Sequence, residues 1–275
     1  MKLKELYLSL IKEGKKYQVN ELDIRYLITD LLKFKDASSF YLKLEQEIKN
    51  PNLIKKGFHE LKRGKPLSYI THQAQFLGDI YYVNKDVLIP RVETEELVAL
   101  AIKRINQYFP KKKLHLLDVG TGSGVIAIKL KKEFKDQVVS AVEINEKALK
   151  VAKKNAHTHQ VKINFYQADT FPNNKDKYDV IIANPPYIKN KKDVDQSVLD
   201  YEPHQALFIN KNNNVYEKIF KSKRLKSPCL MIFEIAPDLV DDLKKLMNKY
   251  LKNYVFNFSQ DINHKTRFLS IVKNN

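Results

Sequence analysis

From residue 114 onward, short apolar runs of strand length alternate with segments of helical periodicity, and this alternation limits the possible folds more than any other feature of the chain. The runs lie at 114–119, 138–143, 161–167, 178–183 and 229–234. Each is a nearly continuous apolar stretch, the pattern of a strand covered on both faces. Parallel neighbours need a crossover between them, and such crossovers are right-handed. The pattern therefore predicts an α/β fold with a doubly wound, mostly parallel, seven-stranded sheet. The last two strands, 254–259 and 267–272, read as an antiparallel pair at its edge.

The preceding residues differ in character. Over 1–72 the apolar positions recur at helical spacing, in Leu3, Leu6, Tyr7 and Leu10, and again in Leu22, Tyr26 and around Leu31. Pro51 suits the first turn of a further helix through Leu53, Ile54, Phe58 and Leu61. Residues 73–90 look extended, with a turn at Gly78-Asp79, and predict a hairpin linker between a small helical domain and a main domain at 91–275. A helix is expected after Pro90, with Glu93, Glu95 and Glu96 in its first turn.

Composition excludes several classes. With 275 residues, 43% of them hydrophobic, the chain can bury a sizeable core and is not disordered. No apolar stretch approaches the ~18 residues of a membrane span, and the start lacks a signal-peptide core, so a cytoplasmic protein without membrane contact is expected. A single cysteine, Cys229, sits inside an apolar run, and no Cys/His group has metal-ligand spacing, so no metal is expected. The net charge of +17 would steer the chain toward RNA, ribosomes or acidic proteins. A general bias toward lysine and asparagine explains the same number equally well.

Chemistry concentrates in two loops. Gly120-Thr121-Gly122-Ser123-Gly124 falls where the first strand of the series hands over to a helix. Glycines there let the backbone turn sharply and approach a ligand, and the helix start offers free N–H groups to an anion. No Gly-Lys-Ser/Thr follows, so this is not a Walker loop. Glu143, ending the next strand, is placed to accept both hydroxyl hydrogens of a ribose. Asp169 and Phe171, after the third, could meet an adenine amino group and ring face, although a solvated Asp and a core Phe fit the same pattern.

The second loop is Asn184-Pro185-Pro186-Tyr187, after the fourth strand. A planar amide or aromatic amine is a poor nucleophile because its nitrogen lone pair is delocalised. Two acceptors that grip its hydrogens localise that pair, and the Asn184 side-chain oxygen and Pro185 carbonyl are suited to this. Pro186 forces Pro185 into an extended conformation and both rings fix φ, so the acceptors are preorganised. Tyr187 could stack on the amide. The predicted topology sets this loop beside the glycine loop, and the pair implies methyl transfer from S-adenosylmethionine, leaving S-adenosylhomocysteine.

In these motifs the chain resembles the release factor glutamine methyltransferases, which modify the glutamine of the Gly-Gly-Gln loop in class-one peptide-chain release factors. The resemblance also covers Pro66-Leu67-Ser68-Tyr69-Ile70-Thr71, Leu88-Ile89-Pro90-Arg91-Val92-Glu93-Thr94-Glu95, Tyr201-Glu202-Pro203-His204-Gln205-Ala206-Leu207 and Arg267-Phe268-Leu269. It implies that Gly120 to Gly124 hold the methionine part of the cofactor, with Asn184 beside it. It also implies that Glu143 binds the ribose and that Phe171 touches the adenine. Asn184 to Tyr187 would hold the acceptor glutamine, and Arg91 and Glu93 would stand at the rim, where a helix-capping ion pair is the competing reading. The implied partner is a release factor, bound through the helical N-terminal domain by a monomeric enzyme, with RNA or ribosome contact left open. Four positions depart from the family's usual residues: Ala236-Pro237 replaces Gly-Gln, Phe171 stands for Trp and Glu143 for Asp. Rival readings are a methyltransferase for a ribosomal-protein glutamine, one for adenine or guanine amines in nucleic acid, and a non-catalytic RNA adapter.

Overall fold

The computed structural model describes residues 1–110, 112–209 and 214–273. Five helices open the chain: α1 (Leu3–Gly14), α2 (Glu21–Leu31), α3 (Ala37–Leu42), α4 (Pro51–Lys62) and α5 (Leu67–Thr71). Asn20, Asp36 and Asn50 cap the second, third and fourth by accepting the N–H of Leu22, Ser39 and Leu53. Their shared core holds Leu3, Leu6, Leu10, Ile24, Leu27, Ile28, Phe40, Ile54 and Phe58. The expected stripe on α2 is corrected here. Leu22 and Tyr26 are each 47% exposed, whereas Ile24, Leu27 and Ile28 are buried. Both sets have helical spacing, and the packing of α1 and α4 decides which one faces inward.

A hairpin forms within the segment expected to be extended, over 73–82, with its turn one residue earlier than Gly78-Asp79. β1 (Gln73–Phe76) and β2 (Asp79–Tyr82) pair antiparallel, with Phe76 opposite Asp79. The two-residue turn between them, Leu77-Gly78, has φ of +45° and +77°, the positive pair that a hairpin of native twist requires. α6 (Val92–Tyr108) follows. Its Glu95 accepts the Leu77 N–H at 2.8 Å and so docks the turn.

The remaining strands and helices alternate: β3 (His115–Val119), α7 (Val125–Glu133), β4 (Val138–Glu143), α8 (Glu146–Thr158), β5 (Asn164–Gln167), β6 (Tyr178–Ala183), α9 (Gln196–Tyr201), α10 (His204–Leu207), α11 (Val215–Lys221), β7 (Leu225–Glu234), α12 (Val240–Tyr250), β8 (Val255–Gln260) and β9 (Thr266–Lys273). The sheet order is β5-β4-β3-β6-β7-β9-β8. β3 to β7 run parallel, and β9 is antiparallel to both β7 and β8. The terminal pair is antiparallel as expected, but only β8 lies at the edge, because β9 inserts between it and β7. Leu116, Val180, Ile182, Leu230 and Ile232 pack under α6 and α7. Alternate residues, Leu117, Ile181, Ala183, Met231 and Phe233, pack under α11 and α12. Period-two alternation thus feeds two helical layers, and the sheet is doubly wound.

β5 is shorter than the apolar run predicts. Gln160 takes φ of +55°, the Gln160 N–H donates to the His157 carbonyl, and the Val161 N–H donates to that of Ala156. This paired closure is the Schellman cap of α8, which uses residues that would otherwise have extended the strand.

Candidate active site

β3 and β6 lie side by side, with Val119 opposite Ala183 at their carboxyl ends. The sheet order reverses between them, which is where an open α/β sheet leaves a crevice for a ligand. The glycine loop leaves β3 and the Asn184-Pro185-Pro186-Tyr187 loop leaves β6, so both open into one cavity of about 620 Å³. That volume lies within the usual range for small-molecule sites.

The glycine loop earns its shape residue by residue. Gly120, Gly122 and Gly124 have φ of +72°, +54° and +86°. A Cβ on Gly120 would meet nothing within 4 Å, yet Gly120 lines the cavity, so the missing side chain leaves room where a ligand would lie. A Cβ on Gly124 would come within 3.2 Å of Ala152 on α8. The N–H groups of Gly120 and Thr121 both donate to the Val142 carbonyl at 3.0 Å. Asn155, 1% exposed on α8, donates to the Ser123 carbonyl at 2.8 Å and exchanges two hydrogen bonds with the Tyr82 backbone. Asn155 was not singled out from sequence, since nothing local marks it.

Glu143 lines the same cavity. Its carboxylate accepts the N–H of Gly122 and of Asn145, each at 3.0 Å. Burial raises its pKa and those two N–H groups oppose the rise. Asp118, wholly buried below the loop, accepts from Thr121 Oγ1 at 2.6 Å and from the Ala127 N–H. Burial pushes its pKa up to about 7.

Across the cavity, Asn184, Pro185 and Pro186 form the facing wall. The loop is pinned where the Ile188 N–H donates to the Leu207 carbonyl and the Ile209 N–H to that of Ile188. Asn184 Nδ2 donates to Thr94 Oγ1 at 2.9 Å, and that hydroxyl donates to Glu234 Oε2 at 2.8 Å. The Tyr187 hydroxyl donates to the other carboxylate oxygen, Oε1, at 3.0 Å. Glu234 is 0% exposed, and burial raises its pKa to about 7.

The other candidates are placed as follows. Asp169 lines the cavity and forms an ion pair with Lys218. Phe171 stacks on Tyr178 with ring centroids 6.2 Å apart, in the core beside the cavity and not among its lining residues. Tyr187 also stands behind the wall, with its ring under the Arg267 guanidinium at 5.9 Å and its pKa raised by burial beside Glu234. Arg91 pairs with Glu202, whose side chain is 2% exposed and also accepts the Ile89 N–H. That bond ties the Pro90 rim to the Pro203-His204 rim, both of which line the cavity. Glu93 is half-buried on α6 near Tyr187 and Glu234, and is not among the lining residues. Among the described residues no group of three His, Cys, Asp or Glu side chains could hold a metal ion, and no helix is long and apolar enough to cross a membrane.

A doubly wound sheet with these two loops at its switch point defines a Rossmann-like methyltransferase. Residues 99–206 match the family model of the methyltransferase small domain. The chain is 40% identical over 199 residues to the release factor glutamine methyltransferase of Flavobacterium psychrophilum, covering 70% of each chain. It is 36% identical to that of Streptococcus pneumoniae, covering 91% of each. The chain belongs to the release factor glutamine methyltransferase family. Among solved structures, a T. Thermophilus 16S rRNA methyltransferase in complex with AdoMet and guanosine shares the fold, with a TM-score of 0.55 at 15% identity over 74% of this chain and 50% of that one.

Proposed function

We propose that this enzyme transfers a methyl group from S-adenosylmethionine to the side-chain amide nitrogen of the glutamine in the Gly-Gly-Gln loop of class-one release factors, acting in the cytoplasm as a monomer. The observation that carries the reading is the pairing of Val119 with Ala183, which sets the Asn184 carboxamide opposite the glycine loop across one cavity. The names of the relatives supply the acceptor protein.

The lining residues fit the cofactor. Gly120 leaves space where a side chain would intrude. Glu143 retains lone pairs for a ribose diol beside its two backbone donors. The N–H groups of Gly120, Thr121, Gly122 and Gly124 are held by protein acceptors, and the first turn of α7 presents its N–H groups to a methionine carboxylate. Asp169 is at hand for the adenine amino group. The bound cofactor supplies a methyl group on a sulfonium, which is an excellent leaving group.

Asn184 Nδ2 is engaged by Thr94, so its Oδ1 is the end available to the cavity. That oxygen and the Pro185 carbonyl accept the two amide hydrogens of the glutamine and aim its nitrogen lone pair at the methyl. The fixed φ of both prolines means the acceptors need no reorganisation during transfer. The nitrogen sheds one of its two hydrogens as a proton after the methyl arrives. The Arg91–Glu202 pair holds the rim through which the glutamine enters, and the helices of 1–72 serve as the docking element for the release factor.

The test is a methyl-transfer assay with purified release factor, the same factor with its Gly-Gly-Gln glutamine replaced, and total ribosomes. Methylation of the intact factor alone is expected. Transfer that survives loss of the glutamine, or that goes to ribosomes instead, would overturn the assignment. Asn184→Ala is expected to abolish turnover while cofactor affinity stays within about threefold.

A further inference from the structure

Asn184 has one feature that its sequence motif does not specify. A carboxamide has two ends of nearly identical shape, and only the oxygen can accept a hydrogen from a substrate amide. A half-turn of its terminal bond would point the NH2 group at the substrate NH2 and set donor against donor. Something in the protein must therefore choose the orientation.

The chain of bonds from Asn184 through Thr94, which also lines the cavity, to Glu234 makes that choice. Glu234 is buried, each of its oxygens accepts from a hydroxyl, and in its ionised form it can only accept. Thr94, 4% exposed on α6, donates its one hydroxyl hydrogen to Glu234 Oε2 at 2.8 Å. The Thr94 oxygen is left with lone pairs alone, so its neighbour must be a donor, and Asn184 Nδ2 fills that place at 2.9 Å. Polarity thus runs in one direction, from a buried charge through a hydroxyl to the carboxamide. Tyr187 donates to Oε1 and occupies the other carboxylate oxygen, so Oε2 remains the acceptor for Thr94.

We infer that Thr94 is a positioning residue that fixes which end of the Asn184 carboxamide meets the acceptor amide, and that Glu234 in turn fixes Thr94. The inference rests on the proposed function, because only an amide acceptor makes the orientation matter for turnover. The three residues come from α6, the loop after β6 and the end of β7, and their bonds also tie those elements together.

Thr94→Val keeps the branched shape and removes the hydroxyl. It is expected to lower kcat on the order of 10- to 100-fold while cofactor affinity holds, and Thr94→Ser is expected to restore most of the rate. Glu234→Gln can offer an NH2 to Thr94, which frees the Thr94 hydroxyl to donate toward Asn184, and it should lower kcat similarly. NMR of labelled asparagine side chains gives a readout independent of turnover, in which the Asn184 NH2 is protected from exchange in the wild type and unprotected in Thr94→Val. A Thr94→Val enzyme with wild-type kcat, or one whose Asn184 NH2 stays protected, would overturn the inference. A loss of cofactor affinity equal to the loss of kcat would also overturn it. Should the wild type leave the release-factor glutamine unmodified, the proposed function falls, and the exchange measurement still decides the relay.

Discussion

Asn155 donates to the carbonyl of Ser123 at 2.8 Å, and this bond ties the later part of α8 to the glycine loop. The same side chain grips the N–H and carbonyl of Tyr82, so the β1–β2 hairpin and the glycine loop share one buried anchor. Replacing it with alanine would leave up to three backbone groups unpaired, one buried and two partly buried, and a fully buried one costs about 1–3 kcal/mol. Asn155→Ala is expected to lose on the order of 2–4 kcal/mol of stability and to weaken cofactor binding together with it. Urea unfolding and calorimetric titration of the cofactor check both. Unchanged cofactor affinity would show that the loop keeps its shape without Asn155.

Glu143 is expected to govern cofactor affinity more than rate. Glu143→Ala removes the proposed ribose acceptor and also releases the Gly122 and Asn145 N–H groups it now accepts. The cofactor dissociation constant should rise about 10- to 100-fold, which is 1.4–2.7 kcal/mol. At saturating cofactor kcat should change little. Gly120→Ala should weaken binding further, because a Cβ would enter the cavity on a backbone at φ +72°. Equal cofactor affinity in wild type and Glu143→Ala would remove Glu143 from the site.

Asp118 titrates at about 7 in the folded chain against 3.8 for an ordinary Asp, because burial disfavours its charge. The folded state therefore holds a proton that the unfolded state releases. The stability this contributes is full below about pH 4 and is lost as pH rises through about 7. Burial lowers the pKa of His115 and His159, which act in the opposite sense, so the comparison belongs between variants. From pH 5 to 7, wild type should lose on the order of 1.4 kcal/mol per pH unit relative to Asp118→Asn. Denaturant midpoints at several pH values measure this difference. Parallel pH curves for the two proteins would contradict it.

Arg91 neutralises a carboxylate that has almost no solvent. With Glu202 only 2% exposed, Arg91→Ala leaves a buried charge without its partner, a change that typically costs 3–5 kcal/mol. The half-exposed side of the pair softens that figure, and a loss of about 1–3 kcal/mol is expected, with a raised KM for the release factor from a loosened rim. The double variant Arg91→Ala/Glu202→Gln should recover part of the stability. Additive losses in the double variant would mean the pair is not coupled.

Much of the fold follows from local pattern. Strands covered on both faces announce themselves as apolar runs, as in Val138–Glu143 and Tyr178–Ala183. The two cavity-lining loops are also legible, because glycines with obligatory positive φ and a Pro-Pro pair restrict the backbone through their own covalent structure. The reading failed where two local solutions compete. Leu22 and Tyr26 share a helix face, yet a neighbouring stripe is buried, and residues at the end of α8 went to a cap before they could join β5.

The sequence by itself determined the sheet, the glycine turn and the Asn-Pro-Pro-Tyr corner, since each depends on residues within a few positions of one another. The tertiary structure alone decided how those parts are oriented and held. Thr94 and Glu234 lie 140 positions apart, Asn155 and Tyr82 lie 73 apart, and Arg91 and Glu202 lie 111 apart. A hydrogen bond across such a distance depends on the packing of whole elements, and no periodicity in the chain records which polar side chains that packing will bring within reach.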